Sequence, residues 1–202
     1  MKIFQASIFA AAALAVALTA QAGDERAKAV AMMKRDFHAR GIAPMDRLNE
    51  DGVQALCNRS RNIPPKPVAE RLQRDQLEAI KYPADGKYLG DWKAGERIAQ
   101  NGRGMTWSDG GAAANGGSCY NCHQIGPNET SFGTIGNSLR RFGKTRGNSP
   151  QMQKYVFGKI YNAKAFNLCS NMPRFGHSGT LGEKQIKDLV ALLLDPNSPV
   201  NK

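Results

Sequence analysis

The sequence predicts an all-α protein. Apolar residues recur at helical spacing in several segments, and several of these are bounded by capping residues, glycine or proline. We find no segment with the strict apolar–polar alternation that is typical of a half-buried strand. A chain of 202 residues suits one domain with an extension.

The first 22 residues have the layout of a secretory signal peptide. Lys2 precedes an almost wholly apolar run from Ala6 to Ala20, and Ala20-Gln21-Ala22 is a small-x-small cleavage site. An uncleaved membrane anchor is the alternative, although a spanning helix needs about 20 apolar residues. We therefore expect a periplasmic chain that begins near Gly23 and has no membrane span after cleavage.

The chain is basic, with 28 Lys and Arg against 17 Asp and Glu and a formal net charge of +11. Export makes nucleic acid an unexpected partner, so the charge favours an acidic protein or an anionic substrate. A merely soluble surface explains the charge equally well.

Residues 23–84 are expected to form an N-terminal helical extension without a ligand cluster. One helix is predicted from Asp24 to Arg40 and another from Pro67 to Lys81, where Pro67 suits a first turn. The predicted apolar face of the first helix consists of Val30, Met33 and Phe37. His38 on this helix is interpreted as a surface histidine, because no second ligand lies near it in the sequence.

Residues 85–202 are expected to form the compact domain. Its first helix is predicted from Asp91 to Gln100, with Asp91 as the cap. Gly95 inside this helix costs about 1 kcal/mol relative to alanine, which indicates a close contact with a crossing helix. Ser149 and Pro150 are predicted to open a later helix.

The C-terminal helix has the clearest pattern. Thr180 and Glu183 match a capping box, and Pro196 marks the end of the helix. Its apolar stripe is predicted to consist of Ile186, Leu189, Val190 and Leu193.

The motif with the strongest chemical meaning is Cys119-Tyr120-Asn121-Cys122-His123, the C-x-x-C-H signature of c-type haem attachment. Two thiols at this spacing reach the two vinyl groups on one edge of a porphyrin, and the next residue places an imidazole under the iron. The motif predicts one covalent haem c, bound through Cys119 and Cys122, with His123 as the proximal iron ligand.

Two other sites use cysteines at this spacing. A redox-active C-x-x-C pair normally opens a helix after a strand in a thioredoxin-like pattern, which the sequence lacks. A zinc site needs four ligands, and no second Cys/His pair lies nearby in the sequence.

Cys57 and Cys169 are the two remaining cysteines. Because free thiols tend to pair in an oxidising compartment, a Cys57–Cys169 disulfide is predicted. Pairing with another subunit is the alternative.

Met172 is the favoured sixth ligand of the iron. It lies in a loop between two predicted helices, and Pro173 favours an extended backbone at Met172. His177 is the second candidate for this position. Arg174 is a candidate partner for a haem propionate, with a solvated surface position as the alternative.

The domain resembles class I cytochrome c in its helix before the C-x-x-C-H motif, its methionine loop and its C-terminal helix. That resemblance implies a helical domain around one haem. Class I proteins often have a Gly-Pro-x-Leu-like segment near the proximal histidine. Here Gly136-Asn137-Ser138-Leu139 and Gly126-Pro127 are both candidates to accept the His123 ring N–H.

Five segments together resemble the family of SoxX, the small subunit of the SoxAX cytochrome complex, over roughly residues 55–195. They are Tyr82-Pro83-Ala84-Asp85-Gly86, Gly90-Asp91-Trp92-Lys93-Ala94-Gly95-Glu96, Cys122-His123-Gln124-Ile125, Gly133-Thr134-Ile135-Gly136 and Met172-Pro173-Arg174-Phe175-Gly176.

The resemblance implies a role in bacterial thiosulfate oxidation. The chain would be the electron-transfer subunit of an L-cysteine S-thiosulfotransferase, and a larger SoxA-like cytochrome would join thiosulfate oxidatively to a cysteine of the SoxYZ carrier. Electrons would pass through the haem held by His123 and Met172 to a small c-type cytochrome. No catalytic residue is expected in this chain.

Two other hypotheses remain open. A free-standing periplasmic electron shuttle would carry lysines around the haem edge, as transient complexes do, whereas an obligate subunit would carry a large apolar patch. A haem-based ligand sensor would need an open iron position.

Overall fold

The computed structural model describes residues 25–109 and 115–202. These residues form helices and no strand, which confirms the predicted all-α class. The predicted signal peptide, residues 1–22, lies outside the described residues. Within the described ranges, none of the helices combines the length and apolar character that crossing a membrane requires.

Seven α-helices follow one another along the described chain. The first, α1, covers residues 25–36. The others are α2 (Gly52–Arg59), α3 (Lys66–Glu78), α4 (Trp92–Gln100), α5 (Phe142–Arg146), α6 (Pro150–Tyr161) and α7 (Glu183–Leu194). Short 3₁₀ helices occur at Met45–Leu48, Cys119–Asn121, Ala163–Ala165 and Pro199–Asn201.

The chain divides into two compact units, Met1–Asn49 and Glu50–Lys202. Helices α2 and α3, which belong to the predicted extension 23–84, are therefore part of the second unit. They pack there against the segment around Leu168 through a small apolar cluster of Val53, Cys57, Ala69, Leu72 and Cys169.

Helix α1 is shorter than the predicted helix from Asp24 to Arg40. It ends at residue 36, because the backbone of Arg40 turns at Gly41 and exchanges hydrogen bonds of 3.1 and 2.9 Å with Ala43. The three residues of its predicted apolar face are all exposed in the structure: Val30, Met33 and Phe37. His38 lies beyond the helix end and is exposed.

The predicted caps of α4 and α6 are confirmed, and that of α7 is wrong. The Asp91 carboxylate accepts the Lys93 N–H at 2.9 Å, and the Ser149 hydroxyl accepts the Met152 N–H at 3.2 Å. Helix α7 is instead preceded by Gly182, whose N–H donates to Gln185 Oε1 at 3.0 Å. Thr180 lies three residues before the start of α7, outside the cap position, and its hydroxyl bonds Ser178 at 2.7 Å.

The core lies where α4, α6 and α7 meet. The predicted stripe of α7 is buried, with Ile186 and Val190 fully inaccessible. Gly95 sits at the contact between α4 and α7, where a Cβ would overlap the Asp188 carbonyl oxygen and lie 3.0 Å from Leu192 Cβ. The close helix contact predicted from Gly95 is therefore confirmed.

We expect Gly95→Ala to lower the free energy of unfolding by about 1–3 kcal/mol, because overpacking at this contact outweighs the gain in helix propensity. Gly52→Ala is the matched control, since a Cβ at Gly52 meets nothing within 4 Å. We expect that control to be neutral or slightly stabilising. Denaturant unfolding of both variants measures the difference, and equal stabilities would contradict the close contact.

Candidate functional site

A cavity of about 570 Å³ opens between α5, α6, α7 and the C-x-x-C-H segment. Its volume is in the range of roughly 300–1,000 Å³ that small-molecule and cofactor pockets occupy. Most of its wall is apolar, and the apolar residues include Ile125, Leu139, Phe142, Val156, Leu189 and Leu192. Three predicted site residues, Cys119, His123 and Met172, also line this cavity.

A 3₁₀ turn places the first part of the motif. The Cys119 carbonyl accepts the N–H groups of Cys122 at 3.1 Å and His123 at 2.9 Å, so the chain folds back under Cys119. Burial raises the pKa of the Cys119 thiol to about 12, and a neutral thioether is compatible with such an environment. Cys122 is half-buried. It is absent from the described residues that line the cavity.

The His123 imidazole is fixed by a backbone carbonyl. Its Nδ1 lies 2.7 Å from the Asn137 oxygen. Because a carbonyl only accepts hydrogen bonds, Nδ1 carries the proton and Nε2 is left with the lone pair that binds a metal. Asn137 is thus the acceptor for this ring N–H. The Gly126 N–H of the other candidate segment instead donates to the Tyr120 hydroxyl at 3.1 Å.

Gly136 packs directly against the His123 ring. A Cβ at this position would overlap the imidazole and lie 2.7 Å from Nε2. We expect Gly136→Ala to displace the ring from Asn137. If the chain carries the haem that the C-x-x-C-H motif predicts, this variant would hold several-fold less of it, as outer-shell changes at metal sites commonly cause. Haem content per chain, from pyridine haemochrome spectra against total protein, measures this effect.

Gly147→Ala provides a control for the Gly136 variant. A Cβ at Gly147, unlike one at Gly136, meets no other atom within 4 Å. Its φ of 80° is strained for alanine, so this control loses backbone stability without touching the imidazole. Equal haem content in both variants would contradict the role of Gly136.

Sequence reasoning missed a tie between the motif and α4. The Tyr120 hydroxyl donates to Glu96 Oε1 at 2.9 Å. Burial is the main cause that raises the pKa of Tyr120, and the hydrogen bond to Glu96 raises it further. The phenol therefore stays protonated and remains a donor. Glu96 Oε2 is buried and has no hydrogen-bond partner within the described chain. The Tyr120–Glu96 hydrogen bond holds the C-x-x-C-H motif against α4, the helix that crosses α7.

Met172, rather than His177, is on the cavity wall. Among the described residues that line the cavity, Met172 is present and His177 is not. The His177 N–H donates to the Tyr161 carbonyl at 3.1 Å, which holds this residue at the end of α6. The arrangement favours Met172 as the distal ligand.

Arg174 is neither a solvated surface residue nor directed to the cavity. Its guanidinium pairs with the Asp51 carboxylate, and its side chain is only 15% exposed. Burial acts to raise the pKa of Asp51, but the Gln54 N–H and Arg174 stabilise the carboxylate and hold this pKa below its usual range. The cationic residues on the cavity wall are Arg140, Arg146 and Lys159.

The predicted disulfide is present, with Cys57 and Cys169 bonded to each other within the chain. Across residues 25–109 and 115–202, no three histidine, cysteine or carboxylate side chains converge as a metal-binding group.

The described residues thus define an all-α protein with an apolar cavity whose wall carries cysteine, histidine and methionine side chains. No protein-family profile matches the chain. The chain is 37% identical over 157 residues to an uncharacterized lipoprotein of Aquifex aeolicus (strain VF5), an alignment that covers 76% of this chain and 73% of the relative. The chain belongs to the same family as that protein.

Proposed function

We propose that this protein is a c-type cytochrome that carries one haem c. Cys119 and Cys122 would hold the haem through thioethers, and His123 and Met172 would bind its iron. The observation that carries the proposal is the apolar cavity lined by Cys119, His123 and Met172, with the His123 ring set by Asn137. The class I cytochrome c fold is part of the proposal.

The residues of this chain have distinct tasks in that proposal. The haem supplies a one-electron couple, and the apolar wall excludes water from it. Asn137 keeps the His123 tautomer that leaves Nε2 for the iron. If His123 and Met172 both bound the iron, they would leave it without a free ligand position, which would favour electron transfer over oxygen chemistry. Arg140, Arg146 and Lys159 are the cations available to haem propionates.

The five segments that resemble SoxX support a more specific assignment. In it, the chain is the electron-transfer subunit of a SoxAX-type L-cysteine S-thiosulfotransferase. A larger SoxA-like subunit performs the sulfur chemistry on a SoxYZ carrier, and a small c-type cytochrome accepts the electrons. Near the motif, Ile135 is 84% exposed and Phe132 is 36% exposed, and an obligate partner would cover such side chains.

A free-standing electron shuttle is the second candidate, and charge supports it. Residues 130–182 contain eight Lys and Arg and no Asp or Glu. Three of these cations, Arg140, Arg146 and Lys159, line the cavity. Lys164 is buried and Arg174 pairs with Asp51, so the other six cations form the surface that would steer acidic partners in transient encounters.

We place the protein in the periplasm. The apolar leader supports export, and the Aquifex relative bears the name lipoprotein. We do not propose that this chain is attached to a lipid through a cysteine. The first cysteine of the chain is Cys57, which is in the disulfide, and Cys119 and Cys122 are assigned to the haem.

Purification of the tagged full chain from its native periplasm, with a haem-stained denaturing gel and a sizing column, tests the proposal. We expect one stained band at the mass of this chain. Co-elution with a second, larger haem-bearing chain in fixed ratio supports the SoxAX assignment, whereas a lone monohaem species favours the shuttle. A band that does not stain would exclude the cytochrome.

A further inference from the structure

The segment that carries Met172 is attached on both sides to helices α2 and α3. Cys169 lies three residues before Met172 and is bonded to Cys57 of α2. Arg174 lies two residues after Met172 and pairs with Asp51, the cap of α2. Both attachments join residues more than a hundred positions apart in the sequence.

The disulfide is set in a buried apolar cluster. Cys57 is 4% exposed and Leu168 is 5% exposed, and Ala69 and Leu72 of α3 pack against them. This packing fixes the start of the methionine segment onto α2 and α3.

On the other side of Met172, the Asp51 carboxylate both caps α2 and forms the ion pair with Arg174. Asp51 Oδ1 accepts the Gln54 N–H at 2.8 Å, which leaves Oδ2 for Arg174. Arg174 Nη1 also reaches Gln76 Oε1 of α3 at 3.4 Å. The end of the methionine segment is thereby tied to both leading helices.

The methionine segment has no regular structure around Met172, because no helix covers the residues between the 3₁₀ turn Ala163–Ala165 and α7. The Met172 N–H is bonded only locally, to the Ser170 hydroxyl at 3.2 Å. Further along, the N–H groups of Gly176 and His177 donate to the Tyr161 carbonyl at 3.1 Å. The two attachments therefore hold the stretch from Cys169 to Arg174 that carries Met172, and the Tyr161 contacts hold the chain beyond it.

We propose that residues 50–84 are a positioning segment that holds Met172 at the iron, with Asp51 and Arg174 as positioning residues. The inference rests on the proposed cytochrome function. A thioether is a weak ligand and stays bound only if the loop presents it at high effective concentration. Loosening either attachment lowers the fraction of protein in which sulfur is bound.

The test uses the full-length, haem-loaded protein with Asp51→Asn and Arg174→Gln. Asparagine is as good a helix cap as aspartate, so Asp51→Asn removes the charge and keeps the cap. The control is Asp85→Asn, because Asp85 also accepts a backbone N–H and pairs with a cation, Lys187 at 3.4 Å, away from the methionine segment.

Two readouts separate positioning from general stability. One is the weak red charge-transfer band of sulfur bound to iron(III), and the other is the reduction potential. We expect Asp51→Asn and Arg174→Gln to lose a substantial fraction of the band and to show a lower potential, with helical circular dichroism unchanged. Asp85→Asn should match the unmodified protein, and a Cys57→Ala/Cys169→Ala variant that folds should show the larger loss.

Three results would overturn the inference. The band and potential could remain unchanged in both folded ion-pair variants, or fall equally in Asp85→Asn. The unmodified haem protein could also lack the band, which removes Met172 as ligand but leaves the cytochrome. A chain without any haem is distinguishable from all of these, because it refutes the proposed function together with the inference.

Discussion

Replacing Cys119 and Cys122 together by serine is expected to abolish haem staining of the denatured chain. A serine hydroxyl does not form the thioether that survives denaturation, so a haem held only by His123 and Met172 would be lost on the gel. On the proposed function, the 570 Å³ cavity would also lose its haem. Since a domain is stable by only about 5–15 kcal/mol, we expect lower helical content and little exported protein.

The Cys57→Ser/Cys169→Ser variant controls for the loss of two cysteines. These residues form the disulfide and are not part of the C-x-x-C-H motif, so the denatured chain should still stain. The prediction is contradicted if the Cys119/Cys122 variant still stains, or if both variants lose the stain equally.

Replacing Met172 by leucine is expected to remove the sulfur–iron(III) charge-transfer band and to lower the reduction potential. Axial ligands set this potential over a range of about 0.8 V, and we expect a fall on the order of 0.1 V. The reduced variant should also bind carbon monoxide, because one axial position becomes open. Absorption spectra and redox titration of the purified protein measure all three changes.

Met152→Leu is the matched control, because Met152 also lines the cavity and the exchange conserves apolar volume. We expect it to keep the band and the potential within a small shift. If Met172→Leu leaves both unchanged, Met172 is not the ligand. His177, the second candidate, would then be tested by His177→Ala with the same spectra.

Carbon monoxide binding to the unmodified reduced protein would favour the ligand-sensor hypothesis. Failure to bind is expected when His123 and Met172 occupy both axial positions. The same measurement therefore separates a closed electron-transfer site from an open one.

The position of Arg174 shows where reasoning from sequence fails. Because arginine matches carboxylate geometry, the sequence left Arg174 with two interpretations, a partner for a haem propionate or a solvated surface position. The structure instead provides Asp51, which lies 123 positions away. No local pattern identifies which carboxylate reaches a guanidinium across such a separation.

The amino-acid sequence by itself determined the helical class, the caps Asp91 and Ser149 and the buried stripe of α7. It also determined the close contact at Gly95. These features depend on residues within one or two helical turns, or on the steric demand of a single glycine. The Cys57–Cys169 disulfide was predictable only because two other cysteines had a separate assignment.

Only the tertiary structure decided which acceptor fixes His123, which residue pairs with Arg174 and how Tyr120 is tied to Glu96. Each of these contacts joins two segments whose distance is set by helix packing and not by spacing along the chain. Thr180 did not become the cap because α7 begins only at Glu183, and its hydroxyl bonds Ser178 instead. The sequence identifies which groups can form hydrogen bonds and ion pairs, whereas helix packing determines which partners they contact.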